Sequence, residues 1–534
     1  SPANLPAKNT ATAARPRAAS KFRGKRSDHD HPPMTTTTAA PTAPATPRPA
    51  YSENYRRLVL FLLVTAYTLN FIDRTIIATL GQPIKDTLKI SDTQLGLLGG
   101  LYFALLYTFL GIPIARFAER FSRVNIIAGA IVIWSAFTAL CGTAGNFATL
   151  AAYRFGVGIG EAGLSPPAHS LISDYYEPKK RASALSVYSF GIPLGTMIGA
   201  IASSQIAKHF GWRMAFMVVG LPGVAVAIAL KALVKEPARG HSEADGFVAV
   251  VKPRASLAGE VAELWAVVKI LFGRWPIFNM VMGITLVSFS GYGGGQFAQP
   301  YFLRNFHQLD IAAVGLIVGL AAGFGQGIGT LIGGPVTDAM SRRLSPRWYA
   351  LVPAIGVTLA YPFHVGVYTA ASWQAAAAFM LVPGMLAYVY LAPTFGVIQN
   401  MAPTHQRATA AAIMLFFLNL IALGGGPPFT GWVIDHFAAF HYAHPGVNGL
   451  WDAVSGFGGT HPADFQVACP GGKAAKTAAD AAKAACSGAL VLGTRQGVIV
   501  AYAFSLWGAF HYLLGSFGLG KALARARADR GEAD

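Results

Sequence analysis

Runs of about twenty or more mostly apolar residues recur from residue 56 to residue 523, and each is long enough to cross a hydrocarbon layer of about 30 Å. We assign twelve helical spans, at 56–80, 94–115, 124–145, 148–172, 181–208, 213–235, 276–304, 311–338, 347–370, 373–401, 407–435 and 494–523. The expected fold class is therefore all-α and integral to the membrane, with twelve transmembrane helices in two six-helix halves. Composition agrees: 53% of residues are hydrophobic and only 12% charged, about half the charge of a soluble domain.

The rest of the chain is expected to connect these spans. Residues 1–54 are rich in Ala, Pro and Thr without apolar periodicity, and read as a disordered tail. Met34 reads as a natural start, with residues 1–33 as an added tag. The first half is then 55–235. A polar linker, 236–274, follows; within it Leu257–Phe272 has helical spacing and is expected to lie along the membrane surface. The second half is 275–523, and 524–534 is a tail.

Orientation follows from the loops. Arg116, Arg120 and Arg123, then Lys179, Lys180 and Arg181, then Arg342, Arg343 and Arg347 all fall on one side, together with both termini and the linker. That side is expected to be cytoplasmic, in a bacterial inner membrane. The Gly/Ala-rich loop 436–492 then lies outside, where Cys469 and Cys486 could bond. Cys141 reads as a small core residue.

Several function classes are excluded by the same reading. The net charge of +18 sits in the tail and short loops, so nucleic-acid binding is not expected. No GxxxxGK[ST] phosphate loop occurs. Ser165, His169 and Asp174 are spread along a span rather than clustered, so the chain is not expected to be an enzyme. No cofactor or metal is expected; His29 and His31 are too few and too local. No oligomerisation face is legible, and a monomer is expected.

One stretch concentrates the chemistry. RFGVGIGEAGLSPPAHSLISD, residues 154–174, is apolar enough for a bilayer yet carries Arg154 and Glu161, seven residues apart on one helix face. Ionisable groups at membrane depth are costly and face a wet cavity or a partner. Asp73 lies about 10 Å from the outer end of the first helix, level with Arg154, so the two are expected to pair. Glu161 sits about 10 Å deeper and is expected to stand more alone. Burial without a partner favours the neutral form of a carboxylate, which makes Glu161 the proton acceptor and Asp73 its relay partner. Arg154 can hold a carboxylate or an anionic head group instead. Arg74 diverges from Asp73 by about 100° and reaches either the cavity or a neighbouring helix.

The second half reads as neutral, with no Asp, Glu, Lys or Arg inside its seventh, eighth, tenth and eleventh helices. Tyr292, Gln296 and Gln299, then Tyr388, Tyr390 and Thr394, then Asn419 are the polar lining candidates, with Phe289, Phe416 and Phe417 adding apolar bulk. One charged wall and one aromatic wall suit an amphiphile. His169 and His364 read as packed residues. Gly191–Gly195, Gly291–Gly295 and Gly424–Pro428 are candidate hinges.

A repeat links the halves. ARFAERFSRV (115–124) and GPVTDAMSRR (334–343) each place a carboxylate, Glu119 or Asp338, four residues before a basic residue, Arg123 or Arg342. With Arg120, these form the expected cytoplasmic gate. The repeat resembles the signature of the major facilitator superfamily, except that Glu119 stands where Asp is usual and Val124 where a basic residue is common. Within that superfamily the chain resembles the spinster family, through Asn70-Phe71-Ile72-Asp73-Arg74, Arg154, Gly160-Glu161-Ala162-Gly163, Pro167, Ser173-Asp174-Tyr175-Tyr176, Arg181 and Gly211-Trp212-Arg213. The resemblance implies a proton-linked, alternating-access carrier of lysolipids or sphingoid phosphates. Carriers of small organic anions share the GEA-type fourth helix, so an organic anion or drug stays open as the alternative substrate.

Overall fold

The computed structural model describes residues 51–242, 257–401 and 407–528. The expected N-terminal tail, the middle of the linker and the last six residues lie outside them.

Helix starts are set locally. Ser52, Ser122, Asn146, Asp310 and Ser372 each accept a hydrogen bond from the backbone N–H three residues on. This satisfies an amide that the first turn leaves without a partner. Ser91 and Gln94 close a reciprocal capping box. The resulting spans are α1 (Glu53–Thr79), α2 (Asp92–Arg120), α3 (Arg123–Cys141) and α4, which comes in two pieces, Phe147–Glu161 and Ser165–Tyr175. Pro166 and Pro167 fall in the first turn of the second piece, where a missing N–H costs little. A single apolar stretch, Ser183–Leu233, contains both α5 (183–210) and α6 (212–233). It breaks at Gly211, whose φ of 79° suits glycine, and α6 returns to pack on α3.

The second set is α7 (Trp275–Asn305), α8 (Ile311–Arg343), α9 (Trp348–Thr369), α10 (Trp373–Met401), α11 (Thr409–Ala443) and α12 (Asp480–Ser516). Among the described residues, ten helices are long and apolar enough to cross a membrane. Counting the break at Gly211 and the two-piece α4 gives twelve passes. A helix also occupies Leu257–Gly273.

Some boundaries differ from the sequence reading. The last span begins at Asp480 instead of 494, because Ala481, Ala482, Ala484 and Ala485 favour helix rather than loop. It ends at Ser516, where Gly518 adopts φ 79° before a separate helix, Leu519–Ala528. Since α11 runs to Ala443, the expected outer loop 436–492 narrows to residues 444–479. Within that insert are two short helices, Leu450–Ser455 and Pro462–Ala468. The Cys469–Cys486 disulfide ties it to the start of α12. Two spans are irregular near mid-length: α10 tightens to a 3₁₀ turn at Tyr388–Tyr390, and α11 widens to a π-turn at Leu418–Leu423.

Contacts between α1–α6 and α7–α12 run along three seams, α1 on α7, α2 on α11 and α5 on α8. The third is built on small residues. Gly315, Gly319 and Gly323, one turn apart on α8, bring its backbone against Ser204, Ala200 and Met197 of α5. A Cβ at Gly315 would collide with Ser204. Gly315→Leu is therefore expected to part α5 from α8 at this end. Oxidative cross-linking of a Lys208→Cys/Asp310→Cys pair beside the seam should slow markedly; an unchanged rate would show that the seam tolerates the bulk.

Candidate functional site

The charged residues of the first half do converge. Arg74 of α1 donates from Nε to Glu161 Oε2 of α4 at 2.7 Å, with the arginine side chain 15% exposed and the glutamate fully buried. The guanidinium lies over Tyr107, Phe103 and Phe71, its carbon 4.5, 5.0 and 5.0 Å from the ring centroids. Such stacking holds a weakly hydrated planar cation in place. The buried Asn70 side chain lies beside the Glu161 carboxylate.

Arg154 is fully buried and bonds only to main-chain carbonyls, Leu98 O at 3.2 Å and Asp73 O at 3.5 Å, with Phe103 on its other side. Asp73 is buried against the Trp134 indole and the Thr138 hydroxyl of α3. The expected pairing is thus overturned. Glu161 takes Arg74, while Asp73 and Arg154 make no carboxylate–guanidinium contact. The reason is geometric: neighbours on a helix diverge by about 100°, and here the short Asp73 points into the packing against α3. The long Arg74 extends instead to Glu161 and stays 15% exposed.

The wall facing it is neutral and aromatic. Tyr292 of α7 lies within electrostatic range of Arg74 and Tyr107. Gln296 is buried against the backbone of Gly99, with Nε2 unpartnered. Tyr388 neighbours Tyr390 in the 3₁₀ turn, and Asn419, half-buried, sits in the π-turn of α11. Thr394 is fully buried: its Oγ1 meets Tyr512 OH at 2.7 Å and Tyr390 O at 2.6 Å inside the packing. Tyr390 likewise bonds Ser288.

A second cluster went unread in the sequence. At the end carrying the insert, Arg304 of α7 binds Asp92 of α2 through two nitrogens, at 2.7 and 3.1 Å, and donates to Gln82 at 2.6 Å and Thr494 at 2.6 Å. Lys85 adds a 2.7 Å bond to Asp92. Asp435 of α11 accepts from the N–H groups of Asp92 and Thr93, at 3.0 and 2.8 Å. It so caps a helix belonging to the other half. These charged groups are all nearly or fully buried. Below them Gln299 donates to Thr79, and beside them Lys208 pairs with Asp310. The span assignment had stopped at 304 and 435, so both residues looked like loop edges. A lysine seven residues before an aspartate, each flanking apolar sequence, was the available signal.

This geometry can be set beside known proteins. The family model of the Major Facilitator Superfamily matches residues 63–427. The chain belongs to the major facilitator superfamily. It is 31% identical to an MFS-type efflux pump of Mycolicibacterium smegmatis, over 70% of this chain and 83% of the pump. It is 26% identical to a hexuronate transporter of Bacillus subtilis, over 75% of this chain and 93% of that one. It resembles the crystal structure of a bacterial homologue of the human lysosomal transporter spinster, in an inward-facing and unoccupied conformation. That match has 30% identity and a TM-score of 0.74, covering 89% of this chain and 99% of that one. The superfamily match and the apolar helices make this an integral, multi-pass membrane transporter.

In superfamily terms, the described residues close the two halves together at the insert end. At the opposite end, where the polypeptide enters and leaves the bundle, the contacts of Arg123, Glu119 and Asp338 stay within one half. Arg123, placed with Glu119 in the expected gate, is fully buried and binds Asp174, Glu236 at 2.7 Å and Ser170 at 2.8 Å. Glu119 is exposed and lies 3.7 Å from Arg116, and Arg120 is exposed. Asp338 accepts from Tyr349 OH at 3.0 Å rather than pairing with the exposed Arg342. A carboxylate four residues before an arginine matches one helix turn, but the helix ends between Glu119 and Arg123, which sends them apart.

Two outcomes follow. Asn at position 92 leaves Arg304 and Lys85 buried without their carboxylate, a loss of about 3–5 kcal/mol for the closed insert end. Labelling of a Thr79→Cys thiol from that side should then rise at least about tenfold in Asp92→Asn, since about 1.4 kcal/mol is a factor of ten; an unchanged rate would remove the lock. Burial raises the Glu236 carboxyl, but bonds from Val124 N–H, Arg123 and Ser122 outweigh it and hold the group below its ordinary range. Its grip on the linker is therefore complete above the ordinary value and lost as pH falls through the lowered one. A nitroxide at His241 should stay immobilised until that acid range, whereas Glu236→Gln should free it at every pH.

Proposed function

We propose that this chain is a secondary active transporter that works by alternating access, is linked to protons, and carries an amphiphilic, lipid-like anion or zwitterion of the lysolipid or sphingoid-phosphate type. The observation that carries this reading is the Arg74–Glu161 pair, buried on the carboxylate side and partly exposed on the arginine side. Protonation of Glu161 releases the Arg74 guanidinium, which then offers a planar fork of donors to a phosphate or carboxylate head group. Deprotonation restores the internal pair and expels the head. Asp73 and Arg154 form the buried reserve of the relay, and the aromatic wall of α7 and α10 takes the tail. The role first expected of Arg154 passes to Arg74, because Arg154 is enclosed by carbonyls.

The insert end faces outward in this proposal, since a disulfide persists in an oxidising compartment. The basic loops at the other end then obey the positive-inside rule. Both termini lie in the cytoplasm of a bacterial cell, and the carrier acts as a monomer. The identity to a hexuronate transporter favours one second reading, a small carboxylate in place of a lipid head. Both substrates would use the same arginine.

The test is uptake of a labelled lysolipid by proteoliposomes, with and without an imposed pH gradient. We expect gradient-sensitive uptake in the parent protein. Glu161→Gln should lose the pH sensitivity, and Arg74→Gln should lose uptake by about tenfold or more, as for a charge-assisted bond. Full proton dependence in Glu161→Gln would defeat the coupling scheme. Uptake of hexuronate but not lysolipid would select the second substrate.

A further inference from the structure

A cavity of about 510 Å³ lies at the insert end, away from the transport site, between the last turn of α9, the middle of α12 and the insert. Val365, Leu450 and Ile499 give it apolar walls; Thr369, Asn448 and Arg495 supply polar groups. No carboxylate lines it. Among the described residues Arg495 is half-buried and has neither an ion pair nor a hydrogen bond. Its cation has no carboxylate partner, unlike that of Arg304, which bonds the adjacent Thr494 and Asp92 in the lock.

Depth in the membrane can be read from two helices independently. From Ser516, the opposite end of α12, to Arg495 is 21 residues, or roughly 32 Å at 1.5 Å per residue. From Trp348 to Thr369 in α9 is likewise 21 residues, again roughly 32 Å. Both lengths match a hydrocarbon core of about 30 Å, so Arg495 and Thr369 stand at head-group level. The cavity also opens on the lipid side of α12. Arg495 and Ile499 lie within about 60° of Phe510 round the helix, and Phe510 is 53% exposed. At the same level the insert helix Leu450–Ser455 shows Leu450, Trp451 and Val454 to the outside, with Trp451 78% exposed. An apolar face led by tryptophan is the pattern of a segment resting on a bilayer interface.

We infer that this cavity is a binding site for the phosphate head group of an anionic membrane phospholipid, distinct from the transport pathway. Arg495 meets the phosphate, the Asn448 amide and Thr369 hydroxyl face the glycerol region, and the acyl chains run down the groove past Val365 and Ile499. Charge complementarity selects the occupant. A lone interfacial arginine over an apolar groove fits an anion joined to hydrocarbon better than a free anion, which has no use for the groove. The bound lipid pins the insert to α9 and α12, all in the second half, so the site remains intact when the halves part.

Native mass spectrometry of the full-length protein, released from detergent and titrated with lipid, tests this. The parent should retain phosphatidylglycerol about tenfold more tightly than Arg495→Gln, the expected size for one charge-assisted bond. Phosphatidylcholine should bind both alike, and Arg495→Lys should recover part of the difference. Ile499→Trp keeps the charge but fills the groove, and should also lose phosphatidylglycerol. Equal retention by Arg495→Gln and parent would overturn the proposal. So would glycerol 3-phosphate competing with phosphatidylglycerol at equal affinity, which would make this a site for free anions.

Discussion

The bidentate contact between Arg304 and Asp92 decides which end of the bundle is shut. It joins the last turn of α7 to the first turn of α2 across the seam between halves. Lys85 and Asp435 complete a group of two cations and two anions, so the buried cluster carries no net charge. Four charges removed from water are tolerable only when each finds a partner. Around this cluster the backbones close tightly: a Cβ at Gly431 would collide with Asp92, and one at Gly96 with Pro427. The electrostatics and the small residues act together, because salt bridges of this length require the helices to approach this closely.

Charge is distributed unequally through the molecule, and the inequality has a mechanical use. In the transport region Asp73, Arg74, Arg154 and Glu161 belong to the first half, whereas Tyr292, Gln296 and Tyr388 supply a neutral face in the second. In the proposed cycle, proton and head-group chemistry changes inside the first half while the second half offers only surface. Asn70, Asp73 and Glu161 are all buried polar groups of the first half. Burial of so many polar groups in one region is costly to the fold.

Much of this was legible in the sequence, to a definable depth. Length and apolarity of the runs located the spans, and Arg154 with Glu161 in one apolar stretch marked the region where charges converge. Pairing was not legible. Helix counting placed Asp73 level with Arg154, but the direction taken by Asp73 against Trp134 is a property of packing. Residues at span ends were hardest, because Arg304 and Asp435 look like loop charge until the helices are seen to continue past them. Thr394 failed for the opposite reason: a polar residue in a span looks like lining, yet Tyr512 from a distant span had already claimed it. The alanine-rich stretch before α12 was read as loop, though alanine is the strongest helix former.

Asp435 caps a helix that is not its own. Its two oxygens take the N–H groups of Asp92 and Thr93, so the start of α2 borrows part of its termination from the opposite half. Ser91 alone cannot replace what is withdrawn when the halves separate, since its hydroxyl already serves Gln94. Opening this end must therefore be a wetting event. Water has to enter at the moment the backbones part, hydrating two bare amides and four charges together. The same water that stabilises the parted state sets a ceiling on how firmly the shut state can be held, and keeps the device reversible.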